Sequence, residues 1–98
     1  MKQLYDSISS ESSKIITKKY STSFSIAVNL LSSNIREAIY NIYGFVRVAD
    51  EIVDSFQDYN QEELFLEFEN DYYKSLKRKI SLNPILNSFQ KIVRDFEL

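Results

Sequence analysis

Tyr43-Gly-Phe-Val-Arg47-Val-Ala-Asp50-Glu-Ile-Val-Asp54 reads as a buried helix that carries charge. At about 100° of turn per residue, Arg47 lies roughly 40° from Tyr43, Asp50 roughly −20° and Asp54 roughly 20°. The four side chains therefore share one narrow stripe. Ile39, Ile42, Phe45, Val46, Val48, Ala49, Ile52 and Val53 occupy most of the remaining circumference, the mark of a helix packed on several sides. A charged stripe on such a helix must face a partner helix, a water-filled cavity or a ligand, because unpaired buried charge is costly.

Asp50 and Asp54 stand one turn apart, about 6 Å along the helix axis. Carboxylates so placed repel by about 0.2–0.5 kcal/mol when exposed, and by more when buried. A divalent cation reverses the sign of that interaction. Magnesium suits the donor set, since it takes oxygen ligands, keeps several waters and is commonly shared with substrate phosphates. Arg47, on the same stripe, has the shape to clamp phosphate oxygens in a bidentate fork. The residues thus suggest a magnesium-diphosphate site on a helix wall. The plainer alternative is an i, i+3 ion pair between Arg47 and Asp50 on a solvated face. Periodicity alone leaves both open.

The chain around this stretch has 98 residues, which fits one small domain with a modest core. A single Gly and a single Pro leave few turns and favour long helices. A hydrophobic fraction of 44% excludes a disordered chain. Twelve basic against fourteen acidic residues give a net charge of −2, which argues against nucleic acid as the main partner. Cysteine is absent, so neither a disulfide framework nor a thiolate metal site is available. No run approaches about 18 consecutive apolar residues, and no membrane span is expected. Met1-Lys-Gln-Leu-Tyr-Asp-Ser lacks the apolar core of a signal peptide. A cytoplasmic protein is the resulting expectation.

Outward from the central stretch, the spacing predicts further helices. The first covers about Leu4 to Lys19, with Leu4, Ile8, Ile15 and Ile16 as candidate core. Its Lys14, Lys18 and Lys19 suit a helix C-terminus, or alternatively form a cationic collar for phosphates. Tyr20-Ser-Thr-Ser-Phe24 breaks the pattern. Serine and threonine cap helix starts, and the free N–H groups there also bind anions. A short second helix then runs through Ile26, Ala27 and Leu30. Ser32-Ser33-Asn34 opens the central helix, with Asn34 and Glu37 at capping-box spacing, and that helix runs to about Phe56. Arg36 and Glu37 are expected in solvent. Asn60-Gln-Glu-Glu63 caps a fourth helix that reaches about Lys79 through Leu64, Phe65, Phe68, Tyr72 and Leu76. Asn83-Pro84 starts a fifth, carrying Ile85, Leu86, Phe89, Ile92, Val93 and Phe96. The fold class is all-α.

Tyr20-Ser-Thr-Ser-Phe24 followed by Arg36-Glu-Ala-Ile-Tyr-Asn-Ile-Tyr-Gly-Phe-Val-Arg-Val-Ala-Asp-Glu-Ile-Val-Asp54 resembles the start of a squalene/phytoene synthase. That family shows an S-x-S-F-type element, then R-x-A-(I/V)-x-x-(I/L)-Y-(A/G)-F-x-R, then D-(D/E)-x-x-D. Order and spacing agree over residues 18–54. The resemblance implies the N-terminal helices of an isoprenoid-synthase-type α-helical bundle. Residues 1–98 would be an incomplete, N-terminal part of that domain, with a second aspartate-rich helix in the full-length protein.

It further implies a magnesium-dependent transferase of isoprenoid and carotenoid biosynthesis. Two prenyl diphosphates, farnesyl or geranylgeranyl, would join head to head to give squalene, dehydrosqualene or phytoene. The 98 residues alone are expected to be inactive. The implied metal ligands are Asp50 and Asp54 of the D-x-x-x-D motif, and Tyr43 and Arg47 complete the catalytic set. Ser21, Ser23, Phe24, Tyr43 and Arg47 form the implied substrate-binding set, with the serines beside the diphosphate and Phe24 on the wall of the prenyl pocket. Val28 and Phe45 are further candidates for that apolar wall. NADPH would enter only if squalene is the product. Relatives often carry His where Tyr20 stands, so no role passes to Tyr20 by resemblance. Peripheral membrane association of the full-length protein is a last expectation.

Two rival classes stay open. One is a non-catalytic helical interaction module that keeps the fold without turnover. The other is a head-to-tail prenyltransferase or terpene cyclase of the same superfamily, which lacks the Ser-x-Ser-Phe element at this spacing.

Overall fold

Capping chemistry divides the chain into its helices. The computed structural model describes residues 1–98, with α1 at Lys2–Tyr20, α2 at Thr22–Val28, α3 at Ser33–Asp54, α4 at Gln61–Arg78 and α5 at Pro84–Asp95. Ser21 accepts from the Phe24 N–H at 3.2 Å and opens α2. Asn60 accepts from the Glu63 N–H at 3.1 Å, and its amide donates to the Glu63 carboxylate at 3.2 Å. Asn83 accepts from the Ile85 and Leu86 N–H groups, with Pro84 in the first turn. Each contact from a backbone N–H satisfies a donor that the helix itself leaves free. The fold is all-α.

The start of α3 differs from the capping box expected at Asn34 and Glu37. The helix begins at Ser33, and the Ser32 hydroxyl donates to the Asn34 side chain at 3.0 Å rather than capping a backbone N–H. Glu37 instead accepts from Ser10 of α1 at 2.9 Å. A tertiary partner has displaced the local one. Arg36 is half-buried rather than in solvent, and α3 ends at Asp54, short of Phe56.

Helix α3 packs on α1, α4 and α5, while α5 also packs on α1 and α4, and α2 rests on α1. Contacts Ser10–Glu37, Ser13–Gly44 and Tyr20–Glu51 ascend together along both chains. Helices α1 and α3 therefore run side by side in the same direction, which brings Tyr20 level with the C-terminal half of α3.

The core face of α1 is polar, contrary to the expectation from its aliphatic residues. Leu4, Ile8 and Ile15 are each more than half exposed, at 53%, 51% and 51%, and Ile16 is half-buried. The buried positions are Ser9, Ser13 and Thr17, one turn apart on one face. Close approach explains the choice. A Cβ placed on Gly44 of α3 would stand 2.7 Å from Ser13 Oγ and 3.1 Å from Ser13 Cα. Only small side chains fit such a joint.

The buried hydroxyls of α1 are all satisfied. Ser9 donates to the Tyr5 carbonyl and Thr17 to the Ser13 carbonyl, both at 2.9 Å. Ser88 of α5 donates to the Ile85 carbonyl, so Ser13 is the donor in the 2.8 Å contact between the two serine hydroxyls. The Asn87 amide closes the network on Ser9 and Asp6. Gly44→Ala should therefore destabilise the protein. The gain of about 1 kcal/mol in helix propensity is smaller than an overpacking cost of about 1–3 kcal/mol or more, because Ser13 backbone is in the way. Urea unfolding should show a lower midpoint with an unchanged slope.

On its other side α3 meets the apolar core. Ile52, Phe68 and Leu86 are its buried centre, and Phe45, Val48 and Ala49 pack around them. Phe45 stacks on Phe89 with ring centroids 3.9 Å apart. It sits roughly 200° around the helix from Tyr43. Phe45 is thus a core residue of the α3–α4–α5 contact and does not flank the charged stripe. Val28 of α2 is 2% exposed, and Leu30 falls beyond α2 and is 86% exposed. No helix is long and apolar enough to cross a membrane.

Candidate functional site

The charged stripe surfaces where α1, α2 and α3 meet. Its position follows from the packing just described, because α4 and α5 take the opposite face of α3 and α1 takes the flank at Gly44. Tyr43 is half-buried, and its ring stacks on Phe24 of α2 at 5.1 Å with the planes 24° apart. The Ser21 cap holds α2 at that point, so Ser21 serves the backbone here. Ser23 is exposed.

Arg47 is the most constrained member. Its Nη2 donates to Glu51 at 3.3 Å and lies 3.9 Å from Asp54. Its guanidinium sits 5.0 Å over the ring of Tyr20, an attractive cation–π arrangement. Its Nε is buried without a partner. An arginine offers five donors, and only one nitrogen of this one is in use.

The i, i+3 pair of Arg47 with Asp50, weighed as the plainer alternative, is not formed, and Arg47 pairs instead at i, i+4 with Glu51. Asp50 is consequently exposed and free of any protein partner, and Asp54 is 67% exposed. The stripe does not line a well-formed hollow. None of the four best-formed pockets includes Tyr43, Arg47, Asp50 or Asp54. An open groove of about 540 Å³ lies elsewhere, between α1 and the start of α3, and its Lys14, Arg36 and Lys91 are balanced by Asp6, Glu11 and Glu37.

Three residues without a role in the sequence reading, Tyr20, Glu51 and Ser55, belong to this cluster. The Tyr20 hydroxyl donates to the Glu51 carboxylate, and Ser55 donates to the same carboxylate at 2.6 Å. The Ser55 hydroxyl, followed by that of Tyr20, holds the Glu51 carboxyl below its ordinary value. The same Tyr20–Glu51 contact raises the phenol above its ordinary value, because a neutral phenol is the donor. Spacing did hold a signal for Glu51, which stands four residues after Arg47. For Tyr20 no sequence signal exists, since its neighbourhood depends on the parallel pairing of α1 and α3.

The arrangement presents a free carboxylate and a second nearly free one on one exposed edge, beside a half-buried cation whose Nε is unpaired. No group of three or more His, Cys, Asp or Glu is close enough to hold a metal by itself. No curated protein and no solved structure matches the chain significantly. The family model described as squalene/phytoene synthase matches residues 17–98. That match begins at the end of α1 and takes in α2, all of α3 and both later helices, so the chain belongs to the squalene/phytoene synthase family, whose activity is the head-to-head joining of prenyl groups.

Proposed function

We propose that α3 is one wall of a prenyltransferase site that takes two prenyl diphosphates, farnesyl or geranylgeranyl, and yields squalene, dehydrosqualene or phytoene in the full-length protein. The observation that carries this reading is the pairing on α3. Asp50 is left free and Asp54 nearly so, beside an Arg47 that keeps unused donors. Two carboxylates are too few for a closed metal cage, and that fits magnesium, which completes its shell with waters and substrate phosphate oxygens. Asp50 and Asp54 would hold it. When bound, the metal supplies charge neutralisation to a departing diphosphate.

The chain's own residues do the remaining work. Arg47 neutralises diphosphate charge through its free N–H groups. Tyr43, its ring fixed by Phe24, aligns a hydroxyl toward the same region. Phe24, 38% exposed, contributes apolar surface that keeps water from a developing carbocation, whereas Val28 is buried in the fold. Ser21 and Ser23 offer hydroxyls at the start of α2. One aspartate pair does not suffice for turnover. A second set of acidic metal ligands would be needed to complete the site, and the 98 residues alone are expected to give no product. NADPH is needed only on the squalene branch. The protein acts in the cytoplasm with its lipid substrates reached at a membrane surface.

A second reading, a helical interaction module without turnover, is favoured by the exposed Leu4, Ile8 and Ile15 of α1. Product analysis decides between them. The full-length protein incubated with magnesium and either farnesyl or geranylgeranyl diphosphate should release a head-to-head hydrocarbon. Recovery of both substrates unchanged, or a head-to-tail product, would overturn the proposal.

A further inference from the structure

The guanidinium of Arg47 is held from two sides by residues outside the catalytic set. The ring of Tyr20 lies beneath it at 5.0 Å. Glu51 Oε1 accepts from it at 3.3 Å. These two holders are themselves joined, since the Tyr20 hydroxyl donates to Glu51 Oε2. Ser55 then fixes Oε1 from the far side at 2.6 Å. Each contact removes a different freedom. The ring plane sets the tilt of the guanidinium, the carboxylate sets its rotation, and Ser55 prevents the carboxylate from turning away. The one other charged partner of the head group is Asp54 at 3.9 Å.

We propose that Tyr20 and Glu51 form a positioning bracket across the α1–α3 joint that holds Arg47 oriented for an anion. That the anion is diphosphate rests on the reading above. Both are positioning residues and need not touch the ligand. Their effect is entropic in origin: a long side chain ordered beforehand loses less freedom when it binds. The bracket also ties α1 into the site, because Tyr20 is the last residue of that helix.

Nitrogen-15 NMR of the 98-residue chain tests this directly. The chain has four arginines, Arg36, Arg47, Arg78 and Arg94, and Arg47→Lys assigns the Nε–H signal of interest. In wild type that signal should be rigid and displaced by the Tyr20 ring current. Tyr20→Leu should return it to the position and mobility of an exposed arginine. Tyr20→Phe keeps the ring and should retain the displacement with intermediate mobility. Glu51→Gln, which removes the carboxylate but keeps the close Ser13–Gly44 approach of α1 and α3, should increase mobility and keep the displacement.

Titration with inorganic pyrophosphate and magnesium gives the second readout. Tyr20→Leu should weaken binding roughly fivefold to tenfold, the range of a partly desolvated cation–π contact, and Tyr20→Phe should recover most of it. An Arg47 signal equally rigid and displaced in Tyr20→Leu and wild type would overturn the bracket. So would tighter pyrophosphate binding by Tyr20→Leu, which would mean that the contacts sequester Arg47. Should wild type show the rigid, displaced signal and no affinity for pyrophosphate, the bracket stands and the diphosphate reading falls.

Discussion

Replacing Asp50 and Asp54 together by asparagine should abolish the rise in melting temperature that magnesium with pyrophosphate gives the protein. A ligand present at ten times its dissociation constant stabilises by about 1.4 kcal/mol. For a domain near this size that corresponds to roughly 6–11 °C. Both carboxylates stand on one exposed edge, so their replacement leaves the fold intact. The double variant loses the 3.9 Å contact from Arg47 to Asp54, an exposed pair of about 0–1 kcal/mol. It also loses the repulsion between the two acids. These terms nearly cancel, and the unliganded variant should melt close to wild type. Differential scanning fluorimetry with magnesium alone, pyrophosphate alone and both together reads the effect. A shift that persists in the double variant would exclude the aspartates as ligands.

Leu86→Ala should produce the largest loss of stability from a single change. Leu86 is fully buried at the meeting of α3, α4 and α5, against Ile52 and Phe68. Truncation removes transfer free energy and leaves a cavity, together about 3–5 kcal/mol. Eight hydrophobic residues make up the buried core, so neighbouring side chains cannot easily close the gap. Against a total stability of roughly 5–15 kcal/mol for a native domain, the variant sits near the edge of unfolding. Leu30→Ala is the matched control, since Leu30 is 86% exposed. Its effect should stay within about 0.5 kcal/mol. Equal urea midpoints for the two variants would contradict the packing of α5.

The helices were legible in the sequence because their signals are local. Asn60 and Asn83 cap the helices that their spacing predicts, and the period of α3 follows from the ring of apolar residues around its stripe. The face of α1 was not legible. Hydrophobicity points to Leu4, Ile8 and Ile15, whereas the joint with α3 is decided by how near Ser13 comes to Gly44. Nearness is a property of two helices and is written in neither. The wall role of Phe45 failed for a simpler reason: two residues along a helix is nearly the opposite side. The site was legible as a stripe and not as a cluster. Glu51 and Tyr20 join it through contacts of which one spans 31 positions of chain.

The serine-lined joint between α1 and its neighbours behaves differently in the cold from the rest of the molecule. Burial of hydrocarbon gives folding its large heat-capacity change, and its contribution fades as temperature falls. Hydroxyls bonded to carbonyls and to one another have little such dependence. Chilling therefore loosens the Leu86 region sooner than it loosens α1. The two helices that present Tyr20 and Arg47 to each other stay registered under conditions in which the aliphatic centre has begun to weaken.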